Sequence, residues 1–543
     1  MGTKFNWNHI YEYYINKGFG MFLLNNISSC IIGILIALAP VIIFGCIDLS
    51  KITSSNKLSD IIYPLSEGFR RSNILVVLCT VIFLLFCLIK VIQFLICIPK
   101  FYRIHKYFAT IGISDHELSV LEWNDVFDTI IANDSDDNHT ILSVAQEILR
   151  YDNYICALIM SPSILTWKLP RMNKLQQFPM SRFFFYILKL VLSGAVLDSN
   201  GCSLVNGVQS VRRAKITNTL TFRFRFVGFI LFILSPFVLL FELLYLFFHY
   251  AQAFKDSPDS LSFRRWTPQA KWRIREYNEL PHLFNKRLSK SYEFANIYLN
   301  LFPSGFVQPL LRILSFLTGA FLAILFVIGL LTDAGHLLQL NVFGDKSLTW
   351  VLSIAASIYG ICKVSITPNS HPYTPNEALT EVEKYIHFDF RDKNNLANSW
   401  TTYKTFSSMF QPVLKQAIFE LLSVILNPIL FFFVMPLKAP SIVEFIHKNS
   451  YEHQTLGWIC LFSSFETDNK DSFFIPPEQE EKLNRSRINF GNFSQNNDLL
   501  INFQDTDSII NAGTFAPRVS SPMINQDTTE PLIEDEEEPF QII

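Results

Sequence analysis

The chain has 543 residues, of which 50% are hydrophobic, 15% aromatic and only 17% charged. With a positive mean hydropathy it carries less charge than a water-soluble globular domain, and a net charge of −2 supplies no global field for nucleic acid, so any basic effect is local. The nine cysteines form no CxxC pair and no Cys/His group at metal-ligand spacing, so neither a disulfide framework nor a metal site is expected, and no cofactor is called for.

From the N-terminus, the polar and aromatic stretch Phe5 to Tyr14 does not read as a cleavable signal peptide. Six apolar segments follow, at 21–47, 73–98, 224–250, 306–331, 348–362 and 417–435. A helix needs about 20 apolar residues to cross a bilayer; the first, second and fourth meet that length and the fifth is short. The third carries Pro236 with Glu242, and the sixth carries Glu420 with Pro428.

Lys and Arg accumulate on the cytoplasmic side of a membrane. Residues 100–223 hold thirteen of them and residues 251–305 hold nine, so both flanks of the third segment read as cytosolic. A single crossing would place one basic flank outside. The third segment is therefore expected to be a re-entrant hairpin that breaks near Ser235-Pro236, because proline removes a backbone hydrogen bond and membrane depth tolerates the break where protein satisfies the freed groups. The fourth segment then crosses outward, the link 332–347 is lumenal, and 348–362 returns. A second re-entrant element at 417–435 breaks at Asn427-Pro428. The first loop, with Lys51, Lys57, Arg70 and Arg71, fits the charge rule poorly, so its helix is oriented by its neighbours.

The resulting fold class is an all-α polytopic membrane protein with four transmembrane helices, two re-entrant membrane helices and cytosolic helical regions. Its divisions are a cytosolic N-terminus (1–20), a first helix pair (21–98), a cytosolic helical region (99–223), a re-entrant helix (224–250), a second cytosolic region (251–305), a second helix pair (306–362), a third cytosolic region (363–416), a second re-entrant helix (417–435), a C-terminal core (436–466) and a disordered tail (467–543). The tail is rich in Asn, Ser and Asp and loses periodicity. Sequons at Asn133, Asn138, Asn484 and Asn492 all fall in cytosolic segments and Asn26 falls in a membrane helix, so the protein is expected to be unglycosylated.

Within the cytosolic regions, Ser114-Asp115-His116-Glu117 is a capping box. Thr374-Pro375-Asn376-Glu377 combines a capping box with proline at the first helical position. Thr267-Pro268 opens a helix expected to run towards Leu280-Pro281. No P-loop, GxSxG, HExxH or paired-carboxylate pattern is present, and lone histidines such as His282 and His387 read as structural hydrogen-bonders. The chain is not expected to be an enzyme.

Charges at membrane depth are the informative residues: Lys90, Glu242, Arg312, Lys363 and Glu420. Each costs about 2.5–3.5 kcal/mol at a helix centre on insertion scales. Lys90, Arg312 and Lys363 have a plain alternative in snorkelling to the interface, whereas Glu242 lies too far inside its segment for that. The functional reading is a hydrated path along which lipid headgroups move. In the stretch 263–301, Trp266 and Trp272 are interleaved with Arg264, Arg265, Lys271, Arg273 and Arg275, which suits a cytosolic headgroup interface; flanking membrane segments argue against nucleic acid.

This stretch resembles the autophagy-related protein 9 family, whose pattern W-S-x-x-A-x-W-K-x-R-E-F-N-E-L-P-H-x-F-x-x-R-L is met by Trp266, Ala270, Trp272, Arg275, Glu276, Asn278, Glu279, Leu280, Pro281, His282, Phe284, Arg287 and Leu288. Thr267 replaces the usual Ser and Tyr277 the Phe. Further likenesses are Gly45-Cys46-Ile47-Asp48, Glu122-Trp123-Asn124-Asp125-Val126, Asp152-Asn153-Tyr154, Asn427-Pro428-Ile429-Leu430 and Gly457-Trp458-Ile459-Cys460-Leu461-Phe462, so the resemblance covers about 5–466. The regions before and after are short, so regulatory sites carried there in relatives are expected to be missing.

The resemblance implies a domain-swapped homotrimer with ATP-independent scrambling of phospholipids during autophagosome formation, located at the preautophagosomal structure or phagophore, cytoplasmic vesicles and Golgi or endosomal membranes, with both termini cytosolic. It implies a role for Lys255 and Asp256 in lining the lipid path, and a lipid-transfer protein of the autophagy pathway as partner. Two other readings are a scaffold that recruits such a partner and a solute or ion channel. At the C-terminus, Phe540 and Ile543 follow an acidic run and resemble the short motif bound by ubiquitin-like autophagy modifiers, which would dock by β-augmentation; the plain alternative is a solvated acidic tail.

Overall fold

The computed structural model describes residues 6–48, 51, 61–133, 139–161, 164–168, 175–177, 180–197, 213–256, 264–302, 307–331, 338, 340–343, 346–365, 372–391, 396–453, 456–465 and 477–495. Helices dominate, and the paired strands are short two-stranded ribbons such as Arg264–Trp266 against Phe410–Pro412 and Ser450–His453 against Gly457–Cys460. Among the described residues, five helical stretches are long and apolar enough to cross a membrane: Phe19–Cys46, Ile74–Ile111, Arg213–Phe248, Pro309–Leu331 and Val413–Lys448; Leu348–Gly360 is a shorter apolar helix.

The first pair packs helix Phe19–Val41 against helix Ile74–Ile111. The second helix has 38 residues, about 57 Å at 1.5 Å per residue, against a hydrocarbon core of about 30 Å. Its far end therefore projects well beyond the bilayer, and Phe101, Ile104 and Phe108 there enter a core with Trp7, Tyr13, Trp123 and Phe127. The amino-terminal helix Trp7–Ile15 is clasped to this projection: the Tyr13 hydroxyl donates to Asp115 Oδ1 at 2.5 Å, and Asp115 Oδ2 accepts the Phe19 N–H at 3.0 Å.

Both proline-containing segments depart from the hairpins expected at Ser235-Pro236 and Asn427-Pro428. Arg213–Asp256 is one helix of 44 residues that continues through Pro236. Proline withholds the N–H that Phe232 C=O would accept, and the Ser235 hydroxyl donates to that carbonyl at 3.3 Å instead. Helix Val413–Ile429 likewise does not turn back at Pro428; it passes into a π-helical turn, Leu430–Val434, and continues as Met435–Lys448. A widened turn of this kind absorbs a lost backbone bond without ending the helix.

These two long helices pack along each other. At Gly228 the approach is so close that a Cβ would lie 2.5 Å from the Phe432 backbone nitrogen. Phe224, Phe431, Met435, Ile442 and the helix Arg182–Leu192 complete the core at this crossing. The hairpin of Val307–Leu331 and Leu348–Ser365 packs chiefly on itself, leaving Phe316, Phe326 and Leu331 facing outward.

Both predicted capping boxes form, Ser114 with Glu117 and Thr374 with Glu377. The helix opened by Thr267 ends at Ile274, short of Leu280-Pro281, because Arg275 turns to extended backbone (φ −60°, ψ 134°); Asn278 then takes a left-handed φ of 60°, and a new helix, Pro281–Ser289, starts with proline in its first turn. Residues 477–495, expected to be disordered, are a helix whose Leu483 and Phe490 join hydrophobic cores and whose Gln479, Lys482 and Ser486 are buried.

Candidate functional site

Two places gather the predicted residues: a charged step among the long apolar helices, and a clasp built by the tryptophan-rich motif. At the first, Glu242 lies less than two turns beyond Pro236 on the Arg213–Asp256 helix and is half-buried. It is within electrostatic reach of Glu420 and Arg182. Glu420, on Val413–Ile429, accepts the Arg182 backbone N–H at 3.0 Å and so caps the N-terminus of helix Arg182–Leu192 from another element. Three segments thus bring two carboxylates and one guanidinium together against apolar helices. Ser423 and Asn427 extend the same face of the Glu420 helix inward; both are fully buried, and neither amide atom of Asn427 has a protein partner.

The other predicted path residues sit elsewhere. Lys255 and Asp256 close the 44-residue helix, with side chains outside the described residues. Arg312 is exposed on the separate hairpin, and Lys363 lies near the end of its return helix, its side chain also outside the described residues. Lys90 is half-buried beside Cys87 and Cys30 in the first helix pair. Phe540 and Ile543 lie outside the described residues. Arg182 was not singled out in the sequence; it precedes an apolar run of ordinary appearance, and only the fold brings it to Glu420.

At the second place, Trp266 is 1% exposed, its Nε1 donates to Ser291 Oγ at 3.0 Å, and its ring packs on Phe406 and Phe410. This corrects its reading as a headgroup-facing ring: Trp266 belongs to a folded core, with Arg275 buried nearby and Arg264, Arg265, Lys271 and Arg273 half-buried around it. Trp272 packs on Phe185 and beneath the Arg275 guanidinium. Arg275 donates to Asp152 at 2.9 Å and to the Glu279 carbonyl. Glu279 receives both arms of Arg287 at 2.7 Å, a two-pronged ion pair of the strong class. Asn278 is paired with Asn153 at 2.9 Å and donates to the Ser463 carbonyl at 2.8 Å. Leu280 is buried, and Pro281 starts the helix that carries His282.

Glu276 draws in two further elements. Its carboxylate meets His387 Nδ1 at 2.7 Å and the Asn489 amide at 2.7 and 2.9 Å. Burial alone would raise its pKa; the His387 hydrogen bond and the Arg287 charge outweigh it and hold the carboxyl below its usual range. Helix Pro477–Gln495 is fastened to the same loop by Lys482, which donates to the Trp272 and Arg273 carbonyls at 3.5 and 3.2 Å, and by Ser486 Oγ, which accepts the Tyr277 N–H at 3.1 Å. A shallow cleft of about 350 Å³ at this junction is lined by Glu383, His387, Asp389, Arg391, Arg485 and Asn489. Burial raises Glu383 to about 7 although Arg391 stands 3.0 Å away. The carboxylates and guanidinium groups of the motif are held by one another and by Asp152, His387 and Asn489, so the motif is a clasp joining distant segments.

His282 illustrates the point. Its ring meets the Tyr11 hydroxyl at 2.9 Å, and burial, with Lys286 nearby, lowers its pKa to about 4. A depressed histidine binds its proton more readily in the unfolded chain. Its contribution to stability is therefore complete above about 6.5 and is lost as pH falls towards 4. His282→Gln is expected to flatten the loss of thermal stability between those pH values, measured as unfolding midpoint against pH in detergent; an unchanged profile would place the acid sensitivity elsewhere.

The family model described as "Autophagy protein ATG9" matches residues 5–466. Autophagy-related protein 9 of Vanderwaltozyma polyspora is 28% identical over 512 residues, covering 92% of this chain and 52% of that protein. The Saccharomyces cerevisiae protein of the same name is 28% identical over 502 residues (88% and 49%), and that of Dictyostelium discoideum is 27% identical over 537 (92% and 74%). The chain thus spans about half the length of the yeast relatives. The cryo-EM structure of Schizosaccharomyces pombe Atg9 shares the fold, with a TM-score of 0.62 and 23% identity, covering 85% of this chain and 98% of that one. The match across the family's core, together with the apolar helices, makes this an integral membrane protein that belongs to the autophagy protein 9 family.

Proposed function

We propose that the protein is an ATP-independent phospholipid scramblase that moves lipids between leaflets during autophagosome formation and membrane expansion. The observation that carries this reading is the charged step of Glu242, Glu420 and Arg182 placed among long apolar helices. Flipping a lipid is slow because its zwitterionic headgroup must cross about 30 Å of hydrocarbon. A polar step offers the headgroup substitutes for its water, the carboxylates towards the ammonium group and the guanidinium towards the phosphate, while the acyl tails stay in the bilayer. No energy source is required, and transport runs both ways until the leaflets equilibrate.

The same proposal includes four crossing helices, with Arg213–Asp256 and Val413–Lys448 partly embedded. Partial embedding keeps both basic flanks on the cytosolic face, as the charge rule asks, without the turn that the continuous helices exclude. It includes a domain-swapped homotrimer, supported by the outward apolar faces of the 307–365 hairpin, which a neighbouring copy would cover. A lipid-transfer protein that consumes the scrambled lipid, and a ubiquitin-like modifier engaging Phe540 and Ile543, are the partners of this reading. The preautophagosomal membrane and the vesicles that feed it are its location.

Replacing Glu242, Lys255 and Asp256 together with leucine is expected to slow scrambling in proteoliposomes about a hundredfold or more, since each lost charge removes roughly 1–2 kcal/mol of headgroup solvation and every 1.4 kcal/mol is about tenfold in rate. The variant must keep the oligomeric state of the parent. Unchanged scrambling in such a variant would remove these residues from the path.

A further inference from the structure

The helix Trp400–Met409 has two unlike faces. Thr402, Phe406 and Met409 are buried towards the core that holds Trp266, Phe390 and Phe410. On the other face Trp400 is 58% exposed. Its ring is stacked on Tyr403, with centroids 4.8 Å apart and an interplanar angle of 15°, and Tyr403 meets Phe302 at 4.7 Å. The Lys404 ammonium lies 5.7 Å from the Trp400 ring centre. Leu396, just before the helix, is 48% exposed. Tyr403 and Phe302 are half-buried against the core of Trp266 and support the ring from behind, so this face exposes Trp400 and Leu396 on a packed aromatic base.

The position of this face says what meets it. Phe302 comes five residues before the apolar helix Val307–Leu331. At the other end, Trp400–Met409 runs through the strand Phe410–Pro412 directly into Val413–Ile429, whose Leu414, Ile418 and Leu422 form an exposed apolar stripe. The cluster therefore stands between the ends of two apolar helices, on the side of the bilayer that the basic flanks assign to the cytosol. Its residue types are those of a membrane interface: amphipathic rings of the kind found at the boundary between headgroups and acyl chains, and exposed Lys404 and Lys415, a residue type that lays its stem along apolar surface while its ammonium group stays in the polar layer. Thr401, Thr405 and Ser408 on the same helix keep it from inserting, so it rests on the membrane.

We propose that Trp400, Leu396 and Lys404 form a membrane-surface anchor, with the Trp400 ring, supported from behind by Tyr403 and Phe302, seated in the headgroup layer of the cytosolic leaflet and Lys404 on lipid phosphates. The partner is the lipid surface itself. The anchor sets the height of the cytosolic body above the bilayer, a role distinct from moving lipid, and it places part of the region 363–416 on the membrane instead of free in the cytosol.

The test is photocrosslinking in the full chain, reconstituted in nanodiscs of phosphatidylcholine and phosphatidylserine that carry an alkyne-tagged phosphatidylcholine. The photoreactive residue p-benzoylphenylalanine replaces Trp400 in one sample, Leu396 in a second and Val120 in a third; Val120 is 84% exposed and lies nine residues past the projecting helix Ile74–Ile111. The expected result is about tenfold more lipid adduct from positions 400 and 396 than from 120, following interfacial enrichment of the aromatic cluster. Equal labelling at the three positions would overturn the proposal. So would a product at 400 that is mainly a covalent dimer of the chain, which would make this face a contact between copies. Because the readout is contact with lipid, it stands whether or not the protein scrambles.

Discussion

Asn278→Ala is expected to destabilise the detergent-solubilised protein by about 3 kcal/mol, and to do so more than Asn278→Gly. Asn278 is 1% exposed, holds a φ of 60°, pairs with Asn153 and donates to the Ser463 carbonyl. Alanine leaves the buried Asn153 side-chain NH2 without its acceptor, at about 1–3 kcal/mol for such a group, while the Ser463 carbonyl keeps the Gln146 donor at 2.6 Å; it also keeps a side chain in the left-handed region at roughly 1–2 kcal/mol. Glycine removes the second cost and leaves the first. The ordering of unfolding midpoints should therefore be parent, glycine, alanine. An alanine variant as stable as the parent would mean that the three segments joined here are held by the hydrophobic cores alone.

Gly228→Val is expected to be strongly damaging to the membrane region. Even the first added carbon meets the Phe432 backbone nitrogen at 2.5 Å and its Cα and Cβ at 2.8 Å. Backbone atoms do not swing aside as a flexible side chain would, so the long helices must separate and open the core around Phe224 and Phe431. Overpacking of this kind costs about 1–3 kcal/mol; Gly228→Ala should fall in that range and the branched valine above it. Purification yield, monodispersity and thermal midpoint in detergent report the effect. Parent-like behaviour of the valine variant would show that the two helices do not meet as closely in the membrane.

What the sequence disclosed here follows the range of each interaction. Capping boxes at Ser114 and Thr374 are local, so their spacing is enough to place them. Apolar length likewise identifies the candidate membrane helices. Pro236 and Pro428 misled because the compensation is invisible in composition: a serine hydroxyl one residue earlier at the first, a widened turn two residues later at the second. Trp266 looked interfacial beside its arginines, yet its neighbours in space are Ser291, Phe406 and Phe410, brought from far along the chain. The 477–495 helix was hidden by its polarity, since Lys482, Ser486 and Asn489 are held by groups of the motif loop and not by a helical apolar stripe. Glu242 and Glu420 were legible as charges out of place, whereas Arg182, the group that turns them into a step, was not.

The most direct measurement is scrambling by the purified parent chain in liposomes, with fluorescent lipid in both leaflets and dithionite added outside. Protein-free liposomes lose about half of their signal, because only the outer leaflet is reached. The account predicts that proteoliposomes lose most of it without ATP, and that the Glu242, Lys255 and Asp256 leucine variant falls back towards the protein-free level. Sealed proteoliposomes that retain their inner-leaflet signal, with the parent protein folded and assembled, would contradict the account and leave the scaffold reading in its place.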